Sequence, residues 1–305
     1  MTSATGSFDP RLGTKVDLDK YITDRAPALE QNCAIQVRNN RFLYEFNTAS
    51  RWWLGGDPIA TAWHNALSAS FPRGEAYFIE SVRACRDDAP PALAAQIDAF
   101  IAQEANHSRE HRAFNRLAEA SGYDLSIIDA RLAAFVEEAR SPHAILNLVA
   151  TAALEHFTAI LAHDVLTHPQ DYAGTPPELL ALWHWHAVEE IEHKAVAFDT
   201  WQHAARRFSR STRWKIRCLV MLRVTRNFLR QRTQDTLDLM AQDGITGRRA
   251  RLRLWRWLLW SPGVLRRITP AWAAWFRPGF HPWDTDDRHL VATFEEGARG
   301  SQTTP

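Results

Sequence analysis

Cysteine is scarce in this chain. There are three among 305 residues, Cys33, Cys85 and Cys218, odd in number, far apart and without a CxxC pair. That excludes a disulfide framework and a thiolate zinc site, and it suits a reducing cytoplasm. Alternating β-branched runs are few, which leaves little material for a sheet. The amino-terminal stretch MTSATGSFDPRLGTKVDLDKYITDRAP lacks the apolar core of a signal peptide, so residues 1–33 read as a flexible polar arm. Long apolar runs are missing too. The nearest, His143 to Ala162, carries Glu155 and His156 near its centre and reads as a buried bundle helix rather than a membrane span.

Net charge is also small, at +1, but the balance hides a segregation. Residues 206–232 hold ten Arg or Lys and no acid, and residues 248–267 hold seven Arg and no acid. The acids concentrate in the first two thirds of the chain, so the carboxy-terminal part is expected to meet an anionic surface.

What is abundant is helical signal, which makes the fold class all-α. A first helix should run from about Pro58 to about Cys85 with a break or kink at Phe71–Pro72, since proline removes a donor and disfavours helix before it. A second begins after Pro90–Pro91 and ends before Gly122. A shorter helix, Leu125 to Ala139, leads to a third from Ser141, its expected cap, to about His168. The fourth runs from about Pro177 to about Phe208, and at least two more follow. Ala34 to Phe46 alternates enough to be a strand or an arm across the bundle.

Two of these helices carry the same arrangement. Phe100, Glu104, His107, His111 and Phe114 are spaced by four, three, four and three residues, and Trp183, His186, Glu190, His193 and Ala197 by three, four, three and four. Each set therefore forms one stripe, and each stripe contains a Glu-x-x-His pair. A Glu and a His at that spacing can address one ion, and bundle carboxylate sites combine two such helices with one Glu from each of two others. Glu75 on the first helix and Glu155 on the third supply those. The candidate ligands are thus Glu75, Glu104, His107, Glu155, Glu190 and His193, for two ions, iron first, with manganese or zinc as alternatives. The competing account is an ordinary bundle with exposed charges, but burying six ionisable groups without metal would cost several kcal/mol for each unpaired charge. Glu189 competes with Glu190, or acts behind the ligands. Glu110 and Glu192 are expected to face solvent or to stand behind them. His111 and His186 extend the stripes so as to meet on antiparallel helices, as further ligands or as groups orienting carboxylates. Thr158 either donates near the site or bonds its own backbone.

The stretches FPRGEAYFIESVR, FIAQEANHSREHRAFN, TAALEHFTAIL, WHWHAVEEIEHKAVAFD and FRPGFHPWD, spread over roughly residues 35–290, resemble a bacterial family of predicted metal-dependent hydrolases. The motif pattern itself is similar to the ferritin-like di-iron carboxylate superfamily. The first resemblance implies hydrolysis by a metal-activated water. The second implies a ferritin-like four-helix bundle and oxygen-dependent oxidation, fed by an electron donor, and the basic, aromatic carboxy-terminal region makes an apolar or amphiphilic substrate the expectation. Metal storage without substrate chemistry is a third option, against which stands a chain about twice the length that a ferritin-like bundle needs.

The expected layout is an arm over 1–33, the metal-binding bundle over 34–208, a basic tryptophan-rich appendage over 209–290 and a disordered tail over 291–305. In the appendage, LRLWRWLLW fits a helix lying among lipid headgroups, so residues 206–278 are a candidate peripheral membrane contact on the inner face of the membrane. The alternative is that the tryptophans pack the appendage on the bundle while the arginines stay solvated. No nucleic-acid motif accompanies the arginines, so no nucleic-acid partner is expected. His281 could cap the bundle or approach the metals, but a structural turn at HPWD is the expected role.

Overall fold

The computed structural model describes residues 34–42 and 50–302, with side chains through 296. The expected arm over 1–33 lies outside the described residues. Every element among the described residues is helical.

Helix α1, Pro58–Arg83, starts where Asp57 accepts from the amides of Ile59 and Ala60, with proline in the first turn. The expected break at Phe71–Pro72 is absent, and α1 runs through Pro72. Proline leaves the Ser68 carbonyl without its helical donor, and Asn115 Nδ2 on the next helix donates to that oxygen at 3.2 Å. Helix α2, Pro91–Ala120, and α3, Ser126–Ala139, fall where spacing put them. Helix α4, Ala144–Thr167, begins three residues later than expected. Ser141 does not cap it, because Asn147 folds back to bond the Ser141 backbone on both sides, and His143 occupies the cap position.

The expected fourth helix is divided into α5, Pro177–His193, and α6, Val196–Ala204. The interruption falls at Lys194, whose buried ammonium donates to Asp287 Oδ2 at 2.7 Å and to the Thr285 carbonyl at 2.8 Å. Those partners are remote in sequence, so local periodicity could not announce the break.

Helices α1, α2, α5 and α4 contact one another in a closed ring, and their inward faces form the core. α4 is the one described helix long and apolar enough to cross a membrane, yet Leu148, Val149, Ala152 and Ala153 on it are core residues. Four more helices follow: α7, Arg210–Gln242, α8, Gly247–Leu259, α9, Val264–Ala274, and α10, Arg288–Gln302. α7 lies against α1 and α4, and α9 against α4. Arg232 on α7 reaches through to the Ala66 carbonyl and pairs with Asp235, which Arg131 of α3 also holds. Several tryptophans act as packing, with Trp275 fully buried and Trp257 against Trp63. The tail expected after residue 290 is helical instead, because Val291 and Phe294 pack on Ala187, Val188 and Ile191 of α5.

Residues 34–42 form no strand. They run as an extended arm over α2 and α5, and positions 43–46 of the expected stretch lie outside the described residues. Side chains of the two helices replace a neighbouring strand. The amides of Gln36, Arg38 and Phe42 donate to Glu192, Glu189 and Glu110, while Gln103, Asn106 and Arg109 donate to the carbonyls of Gln36, Arg38 and Asn40. The partners fall on every second residue, as an extended backbone requires.

Candidate metal centre

The ring of helices brings all six residues singled out by spacing to one place. Glu75 comes from α1, Glu104 and His107 from α2, Glu155 from α4, and Glu190 and His193 from α5, and all six are buried. His193 Nε2 lies 3.2 Å from Glu104 Oε1, 3.3 Å from Glu155 Oε2 and 3.4 Å from Glu190 Oε2. His107 Nδ1 lies 3.8 Å from Glu104 Oε1 and 3.7 Å from Glu190 Oε1. Three overlapping sets have donor atoms within 4.8 Å of one another: Glu104, Glu155 and His193; Glu104, His107 and Glu190; and Glu75, His107 and His186.

Hydrogen bonding decides what these atoms are suited to. Among the described residues no hydrogen-bond partner reaches Glu75 Oε1, either oxygen of Glu104 or Glu155, Glu190 Oε2, His107 Nδ1 or His193 Nε2, although all are buried. Buried polar atoms are ordinarily satisfied, at a cost of about 1–3 kcal/mol for each that is not. A convergent group of them fits a cation.

The outer nitrogen of each imidazole is engaged. His193 Nδ1 lies 2.9 Å from Gln103 Oε1. The Gln103 amide nitrogen already donates to Glu192 and to the Gln36 carbonyl, so its oxygen must be the atom that accepts from His193. His107 Nε2 donates to Glu189 Oε2 at 3.1 Å. With those outer nitrogens engaged, both rings turn their other nitrogen towards the carboxylates, the orientation that a metal ligand requires.

Electrostatics follows from burial and proximity. Burial, then the neighbouring carboxylates, hold Glu75 and Glu104 well above the usual carboxylate range, although Ser108 donates to Glu75 at 2.7 Å. Burial and Glu190 push Glu155 up to about 7. Burial acts on Glu190 too, but His193 and His186 outweigh it and hold its carboxyl well below the usual range. Burial lowers His107 and His111, whereas Glu190 and Glu155 overcome burial at His193 and raise it. A cation would displace protons from this cluster.

The remaining candidates separate clearly. Glu189 stands behind His107 and also accepts from Trp185 Nε1 at 2.8 Å, so Glu190 is the member of the pair that faces the centre. Glu110 and Glu192 are buried rather than solvent-facing, because the extended arm covers them. His111 and His186 meet at 2.6 Å, and His186 Nε2 donates to Glu190 at 2.8 Å while His111 reaches Ser68. Thr158 donates to the Glu155 carbonyl in its own helix at 3.0 Å. His281 closes a turn, with Asp199 3.0 Å from its Nε2. Spacing did not single out Gln103, although it lies four residues before His107 on the same stripe. The roles of Arg38 and Ser108 have no local signature.

Glu75, His186 and Glu190 line one wall of a cavity of about 830 Å³. Phe71, Phe78, Leu154, Phe157, Phe228 and Trp257 are among its apolar lining. α7, α8 and α9 complete its walls, so the basic region is part of the chamber and not merely attached to the bundle.

A family model described as predicted metal-dependent hydrolase matches residues 36–286. The chain belongs to this family. The match covers both Glu-x-x-His helices and the three helices that close the cavity, so the centre and its chamber lie together within the family region. No curated protein and no solved structure matches the chain.

Proposed function

We propose that the chain is a dinuclear metal-dependent hydrolase acting on an apolar or amphiphilic substrate held in the cavity. The observation that carries this reading is the convergence of unpartnered carboxylate oxygens and imidazole nitrogens beside an apolar chamber. Glu75, Glu104, His107, Glu155, Glu190 and His193 are the proposed ligands, and His186 is a further donor in reach of Glu75 and His107. Oxygen and nitrogen donors without thiolate suit iron, manganese or zinc. When bound, such ions polarise an ester, amide or phosphate oxygen and lower the pKa of water. Gln103 and Glu189 keep the imidazoles oriented, and the apolar walls exclude bulk water. His186, on the cavity wall, has both ring nitrogens engaged, Nε2 with Glu190 and Nδ1 with His111, and so holds the Glu190 carboxylate in place.

One observation favours a second reading, oxygen-dependent oxidation. Two Glu-x-x-His helices with two single-Glu helices form the donor pattern of di-iron bundle proteins. The two readings part experimentally. Metal content is measured on purified protein, followed by turnover of p-nitrophenyl esters of increasing chain length with and without oxygen and reductant. Hydrolysis that persists anaerobically and is lost on chelation supports the proposal. Turnover that needs both oxygen and reductant replaces it with oxidation. Glu104→Ala combined with His193→Ala should abolish metal binding while leaving the helical spectrum intact, and retention of two ions per chain would overturn the ligand assignment.

A further inference from the structure

Helix α8 has two apolar sides. Ala250, Leu254, Trp257 and Leu258 are buried against the rest of the molecule. Leu252, Trp255 and Leu259, spaced by three and four residues, form a second stripe on the opposite side and are exposed, Leu252 at 72 %. Trp260, which ends the helix, is 75 % exposed. A helix on a protein surface ordinarily has one apolar stripe, turned inward, and an outward stripe marks an interaction surface. Arg248, Arg249, Arg251, Arg253 and Arg256 surround it, and among the described residues none of them forms an ion pair. α7 repeats the pattern. Leu219, 67 % exposed, and Leu222 stand among Lys215, Arg223, Arg226 and Arg230, away from the buried Met221 and Val224.

We propose that the outward faces of α7 and α8 dock this protein on an anionic phospholipid surface. Arginines flanking exposed leucine and tryptophan are the chemistry of a helix lying in the headgroup region, where the apolar residues enter the acyl boundary and the guanidinium groups meet phosphate. A second copy of the chain is the poorer occupant, since a two-fold contact through this face would set arginine against arginine. Nucleic acid would leave Leu252 and Leu259 unmatched. The surface also adjoins the chamber. Exposed Arg223 on α7 and Ser261, the residue after Trp260, are among the residues that line the cavity, so part of its wall lies beside the docking face. Resting on the function proposed above, this gives an amphiphile a path from the bilayer to the centre.

Cosedimentation tests the surface separately from the metal chemistry, because it needs no turnover. Vesicles of phosphatidylcholine alone are compared with vesicles of equal parts phosphatidylcholine and phosphatidylglycerol. The protein should pellet with the mixed vesicles and not with phosphatidylcholine alone, with or without chelator, and should release as salt approaches about 1 M, where screening shortens to about 3 Å. Leu252→Ser with Trp260→Ser should weaken apparent affinity at least about tenfold. Arg251→Gln and Arg253→Gln should weaken it by about fivefold each. An unchanged far-ultraviolet spectrum and metal content show that each variant is folded. Failure to bind the mixed vesicles overturns the proposal, as does undiminished binding by the folded leucine–tryptophan variant. A dimer that this variant breaks, without vesicle binding, would assign the face to a second copy.

Discussion

Two parts of this molecule bury charge to the same degree and treat it in opposite ways. On α7, Arg232 and Asp235 are almost wholly removed from water, and each finds its partner within the protein, with Arg131 completing the set. In the bundle centre, Glu104 and Glu155 are equally buried, and among the described residues their oxygens have no hydrogen-bond donor, only the His193 nitrogen 3.2 and 3.3 Å away. With Asp238, which Arg131 also holds, the first cluster is neutral, and it joins α3, α1 and α7. The second gathers four carboxyls against two imidazoles, so that once ionised it carries negative charge that the surrounding side chains do not offset. A buried charge left in that condition costs several kcal/mol, and a cation offsets the cost. Completeness of partnering, more than burial, separates a structural clamp from a binding centre.

Removing one partner tests the contrast most strongly. Arg232→Ala leaves Asp235 buried beside Arg131 alone and should destabilise the fold by about 3–5 kcal/mol in denaturant unfolding, with metal content unchanged. The centre should respond with the opposite sign. Burial holds the carboxyls of Glu155 and Glu189 up to about 7, so the folded chain keeps protons that the unfolded chain releases near its ordinary carboxylate value. Stability from this source is present at low pH and lost as pH rises through about 7. Chelated protein should therefore lose on the order of 1–3 kcal/mol between about pH 5 and about pH 8. Glu155→Gln should flatten that slope, and metal-loaded protein should not show it.

Smaller effects sharpen the boundary between ligand and support. Gln103→Ala removes the acceptor that orients His193 and should weaken metal affinity about 10–100-fold with stoichiometry retained, as read by competition with a chelator. If Gln103→Ala instead abolished binding, Gln103 would belong among the ligands. Asn115→Ala strips the Ser68 carbonyl of its substitute donor at Pro72. It should cost about 1 kcal/mol in thermal unfolding with no change at the centre.

The helices were legible because their signals are local. Asp57 before Pro58, the prolines at the start of α2 and the Glu-x-x-His stripes each act within one or two turns. The misread places share a non-local cause. Pro72 breaks nothing because Asn115 lies on another helix, and α5 stops at His193 near the Lys194 bond to Asp287. The stretch after residue 33 is the arm across the bundle and not the strand that its alternation also allowed, because it pairs with side chains of α2 and α5. Whether Glu110 and Glu192 face solvent or stand behind the ligands was open from their own helices, because the arm that covers them comes from elsewhere in the chain.

The sequence by itself determined the all-helical class, the two paired Glu-x-x-His stripes and the segregation of arginine towards the carboxy terminus, since helical period and composition are properties of neighbouring residues. Only the tertiary structure decided that Gln103 and Glu189 hold the second nitrogen of each imidazole inward and that Glu190 rather than Glu189 faces the centre. It also decided that α7, α8 and α9 close a chamber against the bundle. These depend on residues brought together from helices far apart in the chain, and spacing along one helix carries no information about what lies across from it.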